Sequence, residues 1–305
     1  MKILLATDGS DNANAAVDFL LQFPFPEQCT ITLLTVIDGR LFVDVGAFEL
    51  SDDQYQVLHD TSDSVREEAQ QSLDSVAERV TRNGWTVETM VRSGYVAGEI
   101  LTVAEEREVD LVMLGSHGTS GYRRFMLGSV ATRLLDYAPC SVLIVKQAMQ
   151  ESPTPATDVS VEDWRVLLAY DDSGPARKAV SVCASLPFDE RDEITMLTVI
   201  TVIHAFRQDI RQQMNTIWQQ KIIAAKASLE NAVATLQGSL PNVSSRMREG
   251  DNSAHEVIEE ATESGSNLIM LGSKGKKAIK RFLLGSMTSH VARHAPCSVW
   301  VVRED

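Results

Sequence analysis

The sequence is short of long apolar runs, of aromatic residues, of cysteine and of positive charge. At its N-terminus, MKILLATDGSD keeps only about five apolar residues together before Asp8, too few for a secretory signal or a membrane span. The expectation is a cytoplasmic protein. The four cysteines, Cys29, Cys140, Cys183 and Cys297, form no C-x-x-C pair and have no histidine at metal-ligand spacing. That pattern argues against a zinc site or a disulfide framework. Cys140 and Cys297, each in an APCSV segment, read as small buried hydrophobes. Lys and Arg number 28 against 42 Asp and Glu, a net charge of −14. Such acidity disfavours coating nucleic acid or an anionic membrane, but it leaves room for a small phosphate ligand in a locally basic pocket.

What the chain does have is one glycine pattern, twice. Residues 115–129 read GSHGTSGYRRFMLGS and residues 272–286 read GSKGKKAIKRFLLGS, both of the form G-x2-G-x9-G-S. Each copy follows an apolar run, LVMLG or LIMLG, and leads into a helical stretch. A glycine-rich loop between a strand and a helix start suits phosphate, because backbone N–H groups can turn toward a ligand and the helix start supplies further donors.

The repeat extends over the whole chain. KILLATDGSDNA at 2–13 matches RVLLAYDDSGPA at 165–176 with an offset of 163 (171 − 8), and LLTVI at 33–37 matches MLTVI at 196–200 at that offset. The glycine loops and the YAPCSVLIVK and HAPCSVWVVR segments are offset by 157 (272 − 115). The first half thus carries about six extra residues between its second and third strands, within a segment (38–54) containing Leu41, Phe42, Val43, Val45 and Phe48 that reads either as a lid or as part of an interface. The expected domains are 1–146 and 164–305, joined by a polar, proline-containing linker at 147–163.

Within each half, Val-, Ile- and Leu-rich strands alternate with helices, the mark of a parallel sheet covered on both faces. The fold class expected is α/β, two doubly wound five-stranded sandwiches in tandem. A long helix over about 55–82 carries Val65, Ala69, Leu73, Val76 and Val80 on one face; its counterpart carries Ile210, Met214, Trp218, Ile222, Ala225, Leu229, Val233 and Leu236, both read as core stripes. Doubly wound order places a switch point beside strand 1, where ligands sit outside the strand carboxyl ends. Asp8 and the Gly115–Gly118 segment meet there, as do Asp171 and Gly272–Gly275.

These motifs, present in both halves, resemble the ATP-binding branch of the universal stress protein family. The resemblance implies that Asp8 and Asp171 lie near ribose and adenine, and that Val36 and Val199 offer backbone contacts to adenine. It implies that Gly115, Gly118, Gly128 and Ser129, with Gly272, Gly275, Gly285 and Ser286, hold the phosphates, helped by the N–H of Val130 or Met287. From the residues alone, Asp8 could instead end its strand and help cap the following helix, and Ser129 and Ser286 could be plain N-caps. The loop cations Arg123, Arg124, Lys274, Lys276, Lys277, Lys280 and Arg281 suit a polyphosphate or a solvated loop.

Enzyme signatures are lacking. There is no G-x4-G-K-S/T loop, no G-x-G-x-x-G after either first strand, and no SGG-type pyrophosphatase loop. None of the six histidines recurs at an equivalent position in the two halves. The function expected is an ATP-binding stress-response or regulatory protein with little hydrolysis, any Mg²⁺ arriving on the phosphates. The alternatives are a slow ATPase and a nucleotide-independent scaffold or chaperone-like protein. The terminal segments SVLIV and SVWVV, apolar on both faces, suggest an intramolecular pseudo-dimer and are compatible with a further homodimer.

Overall fold

The computed structural model describes residues 1–39, 52–118, 127–147, 163–201, 208–275 and 284–304, with side chains of the two long helices described from 61 and from 218 onward. The 40–51 part of the extra segment, most of the linker and the loop cations Arg123, Arg124, Lys276, Lys277, Lys280 and Arg281 lie outside the described residues, as do the side chains of Ile210 and Met214.

The chain forms two compact units, Met1–Val145 and Lys146–Asp305. In the first, β1 (Lys2–Ala6), β2 (Thr30–Asp38), β3 (Thr86–Gly94), β4 (Leu111–Gly115) and β5 (Ser141–Val145) make a parallel sheet in the order β3-β2-β1-β4-β5. Helices α1 (Asp11–Gln22), α2 (Asp52–Thr81), α3 (Val96–Glu106) and α4 (Ser129–Tyr137) connect them. The second unit repeats this with β6 (Arg165–Ala169), β7 (Glu193–Thr201), β8 (Val243–Gly250), β9 (Leu268–Gly272) and β10 (Ser298–Val302), ordered β8-β7-β6-β9-β10. Its helices are α5 (Gly174–Ala184), α6 (Gln208–Gln237), α7 (Ser253–Glu263) and α8 (Ser286–His294). Both units are the doubly wound α/β fold that the strand and helix pattern predicts.

Position in the sheet decides how apolar each strand is. Ile3, Leu4 and Leu5 of β1 are buried, and so are Leu111–Leu114 of the neighbouring β4, since both strands are covered by helices on either face. The edge strands β3 and β8 are only half-buried, which is why they carry Thr, Glu, Ser and Arg among their apolar residues. On α2 the expected stripe packs inward at Leu73, Val76 and Val80, with Val65 and Ala69 half-buried. On α6 the stripe sinks toward its C-terminal end: Trp218, Ile222, Ala225 and Val233 are half-buried, while Leu229 and Leu236 are buried. No helix among the described residues is long and apolar enough to cross a membrane.

The length difference between the halves is sharper than a single insertion of six. Thirteen residues separate β2 from α2 and six separate β7 from α6, so the first half has seven more there. One is returned further on: Glu99 follows Gly94 by five positions, whereas Glu256, which packs against Gly250 as Glu99 does against Gly94, follows by six.

Candidate functional site

The chain leaves the carboxyl end of β1 in a tight turn that aims Asp8 across the sheet. Asp8 Oδ1 accepts a hydrogen bond from the Ser10 N–H at 3.1 Å, and Ser10 Oγ caps α1 by accepting from the Ala13 N–H at 3.2 Å. The other carboxylate oxygen, Oδ2, lies against Gly118, where an added Cβ would stand 2.5 Å from it. In the second unit Asp171 Oδ1 accepts from the Ser173 N–H at 3.0 Å, and a Cβ on Gly275 would stand 2.7 Å from Asp171 Oδ2. The acid after the first strand and the second motif glycine are therefore side by side in both units. Neither Gly118 nor Gly275 has a left-handed backbone; what each position requires is room beside a carboxylate.

The other two glycines have different tasks. A Cβ on Gly115 would come within 2.5 Å of the Asn12 carbonyl oxygen, and one on Gly272 within 2.7 Å of the Ala176 nitrogen, so each lets the fourth strand of its unit pack against the start of the first helix. Gly128 N–H donates to the Ser116 carbonyl at 2.9 Å, and Gly285 N–H to that of Ser273 at 2.9 Å. Ser116 and Ser273 donate in turn to Val145 and Val302. The nine-residue spacer of the motif is thereby pinned at both ends to the sheet.

Gly128 and Gly285 are also the N-caps of α4 and α8, and among the described residues neither helix start has a side-chain cap. Ser129 and Ser286 are the first helical residues, both exposed, with Val130 and Met287 half-buried behind them. The plain N-cap reading of the two serines thus gives way to glycine caps, which bring no side chain of their own to the helix-start N–H groups, an arrangement that suits an anion.

The opposite wall comes from the second strand. Thr7 N–H donates to the Leu34 carbonyl, and Thr35 Oγ1 donates back to the Thr7 carbonyl at 3.0 Å. Pairing of β1 with β2 stops at Ala6↔Leu34. Two residues further, Val36 turns its backbone N–H and C=O to the same side as Leu34, beyond the end of β1. Tyr170, Leu197, Thr198 and Val199 repeat this arrangement, with Thr198 Oγ1 donating to the Tyr170 carbonyl at 2.9 Å. The threonine ties went unnoticed in the sequence, although they stand in the repeated LLTVI and MLTVI segments.

The two crevices differ in their fittings. Gly9 has φ +73°, a left-handed turn that glycine makes readily; at the same place Asp172 has φ +58°. Asp172 is held there by Tyr170 Oη at 3.1 Å and by Arg177, which reaches both its carboxylate at 3.1 Å and its carbonyl at 2.7 Å. Ser173 Oγ donates to the Lys274 carbonyl at 3.0 Å, strapping turn to glycine loop, and buried Thr288 donates to the Gly272 carbonyl at 2.9 Å where the first unit has Ala131. His117 Nδ1 lies 3.2 Å from Ser116 Oγ; its counterpart Lys274 is held below the usual lysine range by partial desolvation and by the nearby charge of Arg303. Among the described residues no group of three or more His, Cys, Asp or Glu is placed to hold a metal ion.

A doubly wound α/β domain with an acid after its first strand and a pinned glycine loop after its fourth defines the class of each unit. Comparison with known proteins then gives the family: the sequence model of the universal stress protein family matches residues 1–146 and again 164–303, and the chain belongs to that family. A universal stress protein of Mycolicibacterium smegmatis is 28% identical over 306 residues, covering 99% of this chain and 96% of the relative. The universal stress protein YxiE of Bacillus subtilis is 34% identical over 148 residues, 48% of this chain and 98% of the relative. Among solved structures, a universal stress protein from Archaeoglobus fulgidus covers 100% of this chain and 98% of its own with a TM-score of 0.64; at 23% identity that likeness is one of fold.

Proposed function

We propose that each unit binds one ATP in the crevice between the strand-1 acid and the glycine loop, and that the protein is a cytoplasmic nucleotide-dependent stress or regulatory module. The observation that carries this reading is the paired placement of Asp8 with Gly118 and of Asp171 with Gly275. A carboxylate already anchored by a turn amide suits ribose hydroxyls, and helix-start amides behind a glycine cap suit phosphate oxygens. The backbone of Val36 or Val199 would meet the base. Gly115, Gly128, Gly272 and Gly285 shape the loop, with Ser129, Val130, Ser286 and Met287 at the phosphate end. Domain boundaries of 1–146 and 164–305, with a linker at 147–163, fit this assignment. Mg²⁺ would come with the phosphates.

The elements common to both crevices bind and orient charge, and no histidine recurs to act as a general base, so little hydrolysis is expected. Calorimetry on nucleotide-free protein tests the reading. The expected stoichiometry is two ATP per chain, falling to one in Gly118→Val and in Gly275→Val; one site in the wild type would overturn the two-site claim. Mass spectrometry of nucleotide released after mild purification separates this function from a scaffold, which would carry none and gain no thermal protection from ATP.

A further inference from the structure

Repetition points to the nucleotide crevices and away from the C-terminal half of α8, whose two histidines have no counterparts in the first half. His290 and His294 are four residues apart, both exposed, with ring centroids 4.4 Å apart and planes inclined at 42°. At the equivalent places, 157 earlier, α4 carries Arg133 and Tyr137, with the guanidinium over the Tyr137 ring. We propose that His290 and His294 form a two-imidazole site for a borderline divalent transition-metal ion, copper(II) the tightest, with water completing the coordination.

Residues i and i+4 on a helix stand one above the other, about 5–6 Å apart at Cβ. Imidazoles so placed can converge on one ion at about 2.0–2.1 Å from each nitrogen, which requires nitrogens roughly 3 Å apart. The rings already adjoin, so only side-chain rotation is needed. Ligation uses the neutral imidazole. The nearby cations Lys146 and Arg293 repel ions held by charge alone, such as Mg²⁺ or Ca²⁺. Retention must then come from nitrogen–metal bonding, which strengthens along the series toward copper and suits nickel and zinc as well. The site uses two protein ligands and therefore leaves positions for exchangeable water or a ligand from outside.

Copper(II) ion added to the full-length, nucleotide-free chain at neutral pH is the probe, followed by calorimetry and electron paramagnetic resonance. The expected result is one copper per chain with two coordinated nitrogens. Either His290→Gln or His294→Gln should weaken binding at least tenfold, while His255→Gln, on α7, should not. Circular dichroism shows whether the variants remain folded; both positions are exposed, and folding is expected to persist. Equal binding by wild type and by the double variant His290→Gln/His294→Gln would overturn the proposal, as would a spectrum showing a single nitrogen.

Discussion

A methyl group separates the tasks of glycines that look alike in the motif. In Gly115→Ala the new Cβ meets the backbone of Asn12, which cannot move without shifting α1, and in Gly272→Ala it meets Pro175 and Ala176. Each should destabilise the protein by about 1–3 kcal/mol, the usual cost of overpacking, read from urea unfolding. In Gly118→Ala the new atom meets, among the described residues, only the tip of the Asp8 side chain, so stability should change by no more than about 0.5 kcal/mol while ATP affinity falls. A large stability loss at Gly118 would show that the residue is structural. A second residue-scale test concerns Cys183, whose thiol is pushed up to about 12 by burial. The folded state keeps that proton where the unfolded chain, near 8.5, releases it. The stability tied to the buried thiol is therefore whole below about pH 8.5 and declines as pH rises toward 12. Cys183→Ala should accordingly show a shallower loss of stability between about pH 8.5 and 10 than the wild type.

Matching elements of the two units are fastened with different strength. Glu260 on α7 is almost wholly buried, with a side chain 2% exposed, and accepts from Arg246 at 2.8 Å and Arg248 at 3.1 Å of β8. Arg248 also reaches Glu256, Glu259 and Glu263. The first-unit counterpart of Arg248, Arg92, meets a single half-exposed partner on α3, Glu106, at 2.7 Å. Glu260→Ala strands two guanidinium groups, though both retain solvent or other carboxylates, and should cost about 1–3 kcal/mol. Glu106→Ala should cost less than about 1 kcal/mol; equal losses in thermal denaturation would refute this contrast. Such inequality was hidden in the sequence, whereas the elements themselves were legible. Val- and Leu-rich runs marked the central strands, the three-to-four spacing marked α2 and α6, and the repeat fixed their order twice. The half-burial of the edge strands β3 and β8 was not legible, because apolar content alone does not reveal place in a sheet. The helix starts at Ser129 and Ser286 were legible too, whereas the caps at Gly128 and Gly285 were not, a distinction of one residue that patterns of side chains do not resolve. Asp172 offered no sign of its left-handed turn, since its restraint comes from Tyr170 and Arg177 together.

At the scale of the whole molecule, the duplication makes ligand effects countable. With ATP at about a hundred times its dissociation constant, each occupied unit should gain roughly 2.7 kcal/mol of stability. Two melting transitions, or one broad transition, should both move upward in the wild type. In Gly275→Val the part belonging to the second unit should stay where it was, and a shift of the whole transition as in the wild type would count against separate sites. The acid, the glycine loop and the fold were all readable from the repeat, because a feature seen twice in the same setting is hard to attribute to chance. What repetition concealed was each departure from symmetry, including the strap from Ser173 to Lys274 and the paired histidines of α8. The turn after the first strand gives one of these departures a measurable life of its own. With glycine at its left-handed corner, the first-unit turn has no side chain there to anchor it, while in the second unit the corner is clasped by a phenol and a guanidinium. The chain thus holds its own reference sample: in native deuterium exchange, the Ser173 amide should outlast the Ser10 amide, and Arg177→Ala should bring the two lifetimes together.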